Sequence, residues 1–184
     1  STSLLAEPLG PSLGIQAQLP ILLAEYPFRT QQDIADYLHL LQDLPRYFSD
    51  LIALEQEKSR QGMFQNDLAV DGIIRQCSAF LADADTPESH LLHTVFQNKL
   101  QASSLFSEAE RNLCLQTHEK LLTSCVFPAY RSLSDALSSL RGKGTQNAGG
   151  LSRQEGGLSY YAYLLRSRVG VDASPEELTR LLTQ

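Results

Sequence analysis

Leucine outnumbers isoleucine and valine together by three to one in this chain: 33 Leu against 6 Ile and 5 Val. Leucine keeps most of its rotamer freedom in a helix, whereas β-branched side chains are held back there and favour pleated strands. A chain of 184 residues biased in this way has few side chains from which to build a sheet, so an all-α fold is expected before any periodicity is considered. The apolar fraction of 42% is enough for a packed core, and the length suits one domain, or one and a small piece. Fifteen basic against twenty-one acidic residues give a net charge of −6, which argues against a broad nucleic-acid or anionic-membrane surface. No apolar run approaches the roughly 20 residues that a membrane-spanning helix needs. The three cysteines, Cys77, Cys114 and Cys125, contain no C-x-x-C pair and do not suggest a disulfide framework.

The start and stop signals divide the chain into stretches. Residues 1–28 carry Pro8, Pro11, Pro20 and Pro27 and are expected to be mostly extended, with at most a short helix opening at Pro20. Residues 29–141 form the expected helical core. Thr30 and Asp33 make a capping box ahead of a stripe at Ile34, Tyr37, Leu38 and Leu41. Pro45 is expected to end that helix and to open the next, which Gly62 stops. Val70, Ile73, Ile74, Cys77, Phe80 and Leu81 mark a third helix, and Thr86-Pro87-Glu88 reads as the start of a fourth. Ser107 and Glu110 cap a long helix to about Leu140, kinked near Ser124 by Pro128. Residues 142–157 form a Gly-rich loop with a short hairpin expected near 151–157. Residues 158–184 hold two more helices. The last opens at Ser174-Pro175-Glu176-Glu177 and shows no stop before Gln184, so it is expected to be truncated. Ser1-Thr2-Ser3, without an initiator Met, likewise reads as a processed start. The architecture expected is an irregular bundle of about six to seven helices.

Chemistry is sparse. His118-Glu119 begins like the zinc motif H-E-x-x-H, but the second histidine position is Leu122, so a surface histidine beside a surface glutamate is the simpler reading. His90 and His93 stand three residues apart without a completing ligand, and Cys114 with His118 is equally incomplete. No catalytic residue and no metal ligand is therefore assigned. The run Gly157-Leu158-Ser159-Tyr160-Tyr161-Ala162-Tyr163 stands out, because its tyrosines spread around a helix and cannot all face one core. Tyr161 fits a stripe with Leu158 and Leu165, which leaves Tyr160 or Tyr163 either to pack half-wet at a domain seam or to line a cleft as a donor to a ligand, with Arg166 able to add an anion contact.

Several segments recur in a familiar order: Leu19-Pro20-Ile21-Leu22-Leu23-Ala24-Glu25-Tyr26-Pro27-Phe28-Arg29, then Pro45-x-Tyr47-Phe48, Asp71-x-x-Ile74-x-Gln76-Cys77 and Phe127-Pro128-Ala129-Tyr130. Asp33-Ile34-x-x-Tyr37-Leu38-x-Leu40-Leu41, Glu55-x-x-Lys58-x-x-x-Gly62, Gly156-Gly157-x-x-Tyr160-Tyr161 and Ser174-Pro175-Glu176-Glu177-Leu178 complete the set. In this the chain resembles the N-terminal part of the bacterial "domain of unknown function 885" family. The resemblance implies a much longer, mostly helical protein, similar to zinc-dependent peptidases of the zincin kind, whose ligands lie downstream of the part matched. No cofactor is then expected in this chain, and zinc is expected in the missing C-terminal part. Gly157, Tyr160, Tyr161 and Arg166 are the substrate-binding candidates, as a wall of the cleft.

The expected function is thus a non-catalytic helical portion of a peptidase-like protein, inactive alone. Its partners would be the missing C-terminal part of the same polypeptide and a peptide substrate, with no nucleic acid and no membrane span. Apolar faces left uncovered would favour self-association. Export to the cell envelope is compatible with the resemblance. The alternative is a free-standing helical module that binds a protein or peptide without catalysis.

Overall fold

A computed structural model describes residues 2–144, 151 and 154–182. Among these residues there is no strand, and the chain forms seven helices, as an all-α reading requires. None of them is long and apolar enough to cross a membrane. The hairpin expected near 151–157 is absent from the described part of that stretch. Gln154 and Gly157 donate their amides to Leu151 and Gln154 respectively, two successive turns that wind straight into a helix.

Helix α1 spans Ile15–Glu25, which corrects the extended reading of the N-terminal segment. A 3₁₀ turn, Thr2–Leu5, precedes it. Pro20 lies inside α1 and cannot donate to the Gln16 carbonyl, but the Tyr130 hydroxyl donates to that oxygen at 2.9 Å and replaces the lost bond. At the other end, the Lys99 ammonium donates to the carbonyls of Ala24 and Tyr26 and sits 5.2 Å from the Phe28 ring centre.

Helix α2 spans Gln31–Arg60 and runs straight through Pro45, where two helices were expected. A proline inside a helix costs about 3 kcal/mol. The stripe crossing it, Leu41, Leu44, Phe48 and Leu51, is buried, and each such side chain contributes about 1.5–3 kcal/mol. Pro45 itself faces solvent, so breaking the helix would sacrifice more burial than it would relieve strain. Thr30 and Asp33 form the expected capping box. Gly62, at φ 69°, ends the helix in a left-handed turn, with Met63 donating to Lys58 and Gly62 to Ser59.

Helix α3 spans Asp67–Phe80, capped by the Asn66 side chain. Helix α4 spans Leu91–Ala102 and starts later than Thr86-Pro87-Glu88 suggests. Those residues fold into a 3₁₀ turn in which Ser89 Oγ donates to Thr86, and the His90 ring caps α4 instead. Helix α5 is 33 residues long: Glu108–Leu121, a π turn at Leu122–Val126, then Phe127–Leu140. Pro128 sits just past the π turn, as its lack of an amide demands, and Thr123 and Ser124 turn their hydroxyls onto the carbonyls of Glu119 and Lys120. Helix α6 spans Gly157–Leu164 and runs into a second π turn at Leu165–Val169; α7 spans Pro175–Leu182, capped by Ser174.

Helices α2 and α5 pack along one another, with α3 and α4 against α5, and α1 across α3 and α4. The core is one continuous cluster that includes Tyr37, Phe48, Ile73, Phe96, Phe127 and Tyr130. Helix α6 lies outside that cluster, against the N-terminal 3₁₀ turn, and this pairing creates the cavity described next.

Candidate functional site

A cavity of about 420 Å³ opens where four segments meet. The N-terminal turn supplies Leu4, Leu5 and Glu7, and the α2–α3 loop supplies Met63, Phe64, Gln65 and Asn66. Leu151 and Gln154 form one end, and Tyr160, Leu164 and Arg168 face in from α6 and its π turn. The last three recur every four residues, which puts them on one side of the helix. Gly157 lets α6 approach so closely: a Cβ there would lie 1.7 Å from the Leu151 carbonyl oxygen.

A buried charge cluster stands behind one wall. Lys58, fully buried, reaches the half-exposed Glu7 carboxylate at 2.7 Å and donates to the Ala6 carbonyl at 3.1 Å. Glu55, one turn back on α2, is also buried and lies 3.6 Å from the Lys58 nitrogen; neither of its oxygens accepts a hydrogen bond. Loss of water around this carboxyl, with Glu7 nearby, outweighs the attraction of Lys58, and its pKa is pushed up to about 7. Glu7 is also held above the usual carboxylate range, chiefly by desolvation. The N-terminal turn is thus tied to α2 by one lysine shared between two acids.

The histidines form a second buried cluster. His118 is fully buried, not a surface residue, and its ring lies nearly parallel to Phe96 at 4.2 Å. Its Nε2 is 3.2 Å from the Tyr37 hydroxyl and its Nδ1 is 3.4 Å from His93 Nδ1. Burial, with His93 and His90 nearby, lowers its pKa to about 3, so it stays neutral. His90 accepts from the Leu92 amide at Nδ1 and faces the Phe80 carbonyl with Nε2, which fixes the proton on Nε2. Helix geometry therefore separates His90 from His93 and pairs His93 with His118 of another helix. Among the described residues, no three His, Cys, Asp or Glu side chains converge as a metal site.

Over residues 4–184 the sequence matches the model of a family described as "Bacterial protein of unknown function (DUF885)". The chain belongs to this family. No curated protein matches it at a significant level. Its fold is similar to the crystal structure of "the putative lipoprotein from Colwellia psychrerythraea", with a TM-score of 0.79 at 18% identity. That likeness covers 92% of this chain and 29% of the other, so the DUF885 chain spans under a third of that relative's length.

The four substrate-binding candidates of this DUF885 chain do not share one surface. Tyr160 lines the cavity, and Gly157 is buried beside it. Tyr161 is exposed and Arg166 pairs with Asp172 at 3.6 Å, both outside the cavity lining. The expected stripe of Leu158, Tyr161 and Leu165 is turned: Leu165 is buried, but Leu158 is 67% exposed. The close approach at Gly157 sets this rotation, because the side of α6 that carries Gly157, Tyr160 and Leu164 must then face inward. Arg168 and the Glu55–Lys58–Glu7 cluster were not anticipated. Their signal lies in register: Glu55 and Lys58 continue the stripe from Leu51, and Arg168 follows Tyr160 by two turns.

Proposed function

We propose that this chain is the helical N-terminal portion of a longer zinc-dependent peptidase-like protein, and that the cavity beside Tyr160 forms part of the wall along which a peptide substrate lies. The family match over residues 4–184, together with a fold relative more than three times as long, supports the reading as a portion of a longer protein, and the peptidase part rests on the resemblance of the ordered sequence segments alone. The cavity adds support. At about 420 Å³ it falls within the roughly 300–1,000 Å³ of small-ligand sites, and its lining mixes leucines, Met63 and Phe64 with almost as much polar surface.

Zinc would supply a Lewis acid and an activated water. The residues described here do not fit it: His90, His93 and His118 are buried and committed to hydrogen bonds, and no carboxylate joins them. On this reading the metal is held by the rest of the polypeptide, and the present residues only bind and orient. The exposed side chains Leu158, Tyr163, Val169 and Leu181 are then the surface that meets the remainder of the protein.

The test is expression of the full-length gene product, with its zinc content and its hydrolysis of a mixed peptide library measured. Stoichiometric zinc with hydrolysis is expected. Tyr160→Ala should raise KM several-fold and leave the zinc content unchanged. A full-length product with neither zinc nor hydrolysis overturns the peptidase reading and leaves the chain as a binding module.

A further inference from the structure

The polar groups around the cavity differ in how far they are already used. Glu7 is taken by Lys58, Gln65 donates to the Leu9 carbonyl at 3.2 Å, and Asn66 caps α3. Tyr160 stacks its ring on Tyr163, with centres 5.9 Å apart, but its hydroxyl has no partner among the described residues. The guanidinium of Arg168 has none either. Among the described residues of the lining, one cation, one phenol and the side-chain amide of Gln154 are thus left unpaired around a surface of Leu4, Leu5, Met63, Leu151 and Leu164.

That combination selects a chemical class. A guanidinium offers paired N–H donors that match the two oxygens of a carboxylate, and a phenol adds a third donor. Among the described residues the rim holds one cation, Arg168, with the Glu7 carboxylate close by, and that balance suits a monoanion better than a phosphate. The apolar floor calls for a hydrocarbon side chain next to the anion. The volume is enough for about two amino-acid residues.

We propose that the cavity takes the free C-terminus of a peptide ending in an apolar residue, with Arg168 pairing with the terminal carboxylate, Tyr160 donating to it, and the last side chain resting on the leucines. This rests on the reading of the cavity as a peptide surface, but not on any catalytic step. It would make the family's substrate preference one for chain ends and not for internal bonds.

The experiment is fluorescence anisotropy on the full-length gene product that contains this chain. The probes are a labelled hexapeptide ending in Ala-Leu as the free acid, the same peptide as its C-terminal amide, and unlabelled decanoate as a competitor. The acid is expected to bind about three- to fivefold tighter than the amide, since the amide forfeits the pair with the exposed Arg168 guanidinium. Arg168→Met should weaken the acid by a similar factor and erase the difference between acid and amide. Arg131→Met, which removes an exposed arginine outside the cavity, should change neither. Equal binding of acid and amide, or no binding of either at millimolar concentration, overturns the proposal. Displacement by decanoate at the same concentration as by unlabelled peptide acid overturns the peptide assignment. The readout is binding, not zinc content or turnover, so a full-length product without hydrolysis leaves the result standing, and an active one does not rescue a failed result.

Discussion

Helix α2 carries two buried polar clusters, one on each side of Pro45, and they are built on opposite principles. Toward its start, the Tyr37 hydroxyl meets the neutral ring of His118, whose other nitrogen faces His93, inside a stack of aromatic rings. Toward its end, Glu55 and Lys58 are buried as ionisable groups, with Glu7 half-exposed at the cavity edge and both Glu55 oxygens unbonded. A buried neutral network that is satisfied rigidifies a core. A buried charge that is only partly satisfied contributes little net stability, yet removing its partner is expensive. The first cluster therefore behaves as core. The second clamps the segment that forms one wall of the cavity.

The largest effect should come from breaking the second cluster on one side only. Lys58→Met leaves Glu55 buried without its cation and frees the Glu7 turn. The expected loss is about 3 kcal/mol, read as a shift of the urea midpoint. Glu55→Leu in the same chain should restore most of it, because a hydrophobic isostere replaces a group that had no hydrogen bond to lose. A single variant costing under about 1 kcal/mol, or a double variant no better than the single, contradicts the picture of a clamp.

A smaller effect separates the clusters by the sign of their pH dependence. His118 has a folded pKa of about 3, below its ordinary 6.5, so the unfolded chain takes up its proton first on acidification. Its contribution is whole above pH 6.5 and is lost as the pH falls toward 3. Glu55 has a folded pKa of about 7, above its ordinary 4.5, so its contribution is whole below pH 4.5 and is lost as the pH rises through 7. Between pH 4.5 and 6.5 the two slopes oppose one another. His118→Phe, which keeps the stack on Phe96, should leave a protein that gains stability as the pH drops from 7 to 4.5. Glu55→Gln should leave one that loses it. Each single-proton slope is bounded by about 1.4 kcal/mol per pH unit. Two variants with the same slope would show that the clusters do not titrate as described.

The same contrast explains how much the sequence could tell. Capping boxes at Thr30 and Ser107, the stop at Gly62 and the break ahead of Pro128 are local signals with local causes, and all appear in the fold. Pro45 failed as a boundary because its local cost competes with a stripe four side chains long, and only burial decides that contest. His118 was read by residue type, yet it sits three residues after Leu115 and four before Leu122, squarely on the inner side of α5. Lys58 was hidden in the same way, since a lysine at a core position makes sense only once Glu7 arrives from far along the chain. For the cavity, the tyrosine run was visible but its rotation was not, because that depends on the contact of Gly157 with the Leu151 carbonyl.

The smallest effect tests the neutral side of the comparison outside either cluster. Tyr130, whose hydroxyl is kept protonated by burial, donates to the Gln16 carbonyl that Pro20 leaves without a helical partner. Tyr130→Phe should cost about 1 kcal/mol, the usual net worth of one neutral hydrogen bond plus part of the desolvation of the orphaned oxygen. Pro20→Ala supplies the missing amide in the right place, four residues after Gln16. In that background Tyr130→Phe should cost much less, because the carbonyl then keeps a donor. The double-mutant cycle over these two positions reads the substitution directly, with an expected coupling of roughly 0.5–1 kcal/mol. An equal cost in both backgrounds would mean that the hydroxyl stabilises the core by packing alone. The proline in α1 would then be tolerated for the same reason as Pro45 in α2, by burial along the helix and not by a replacement bond.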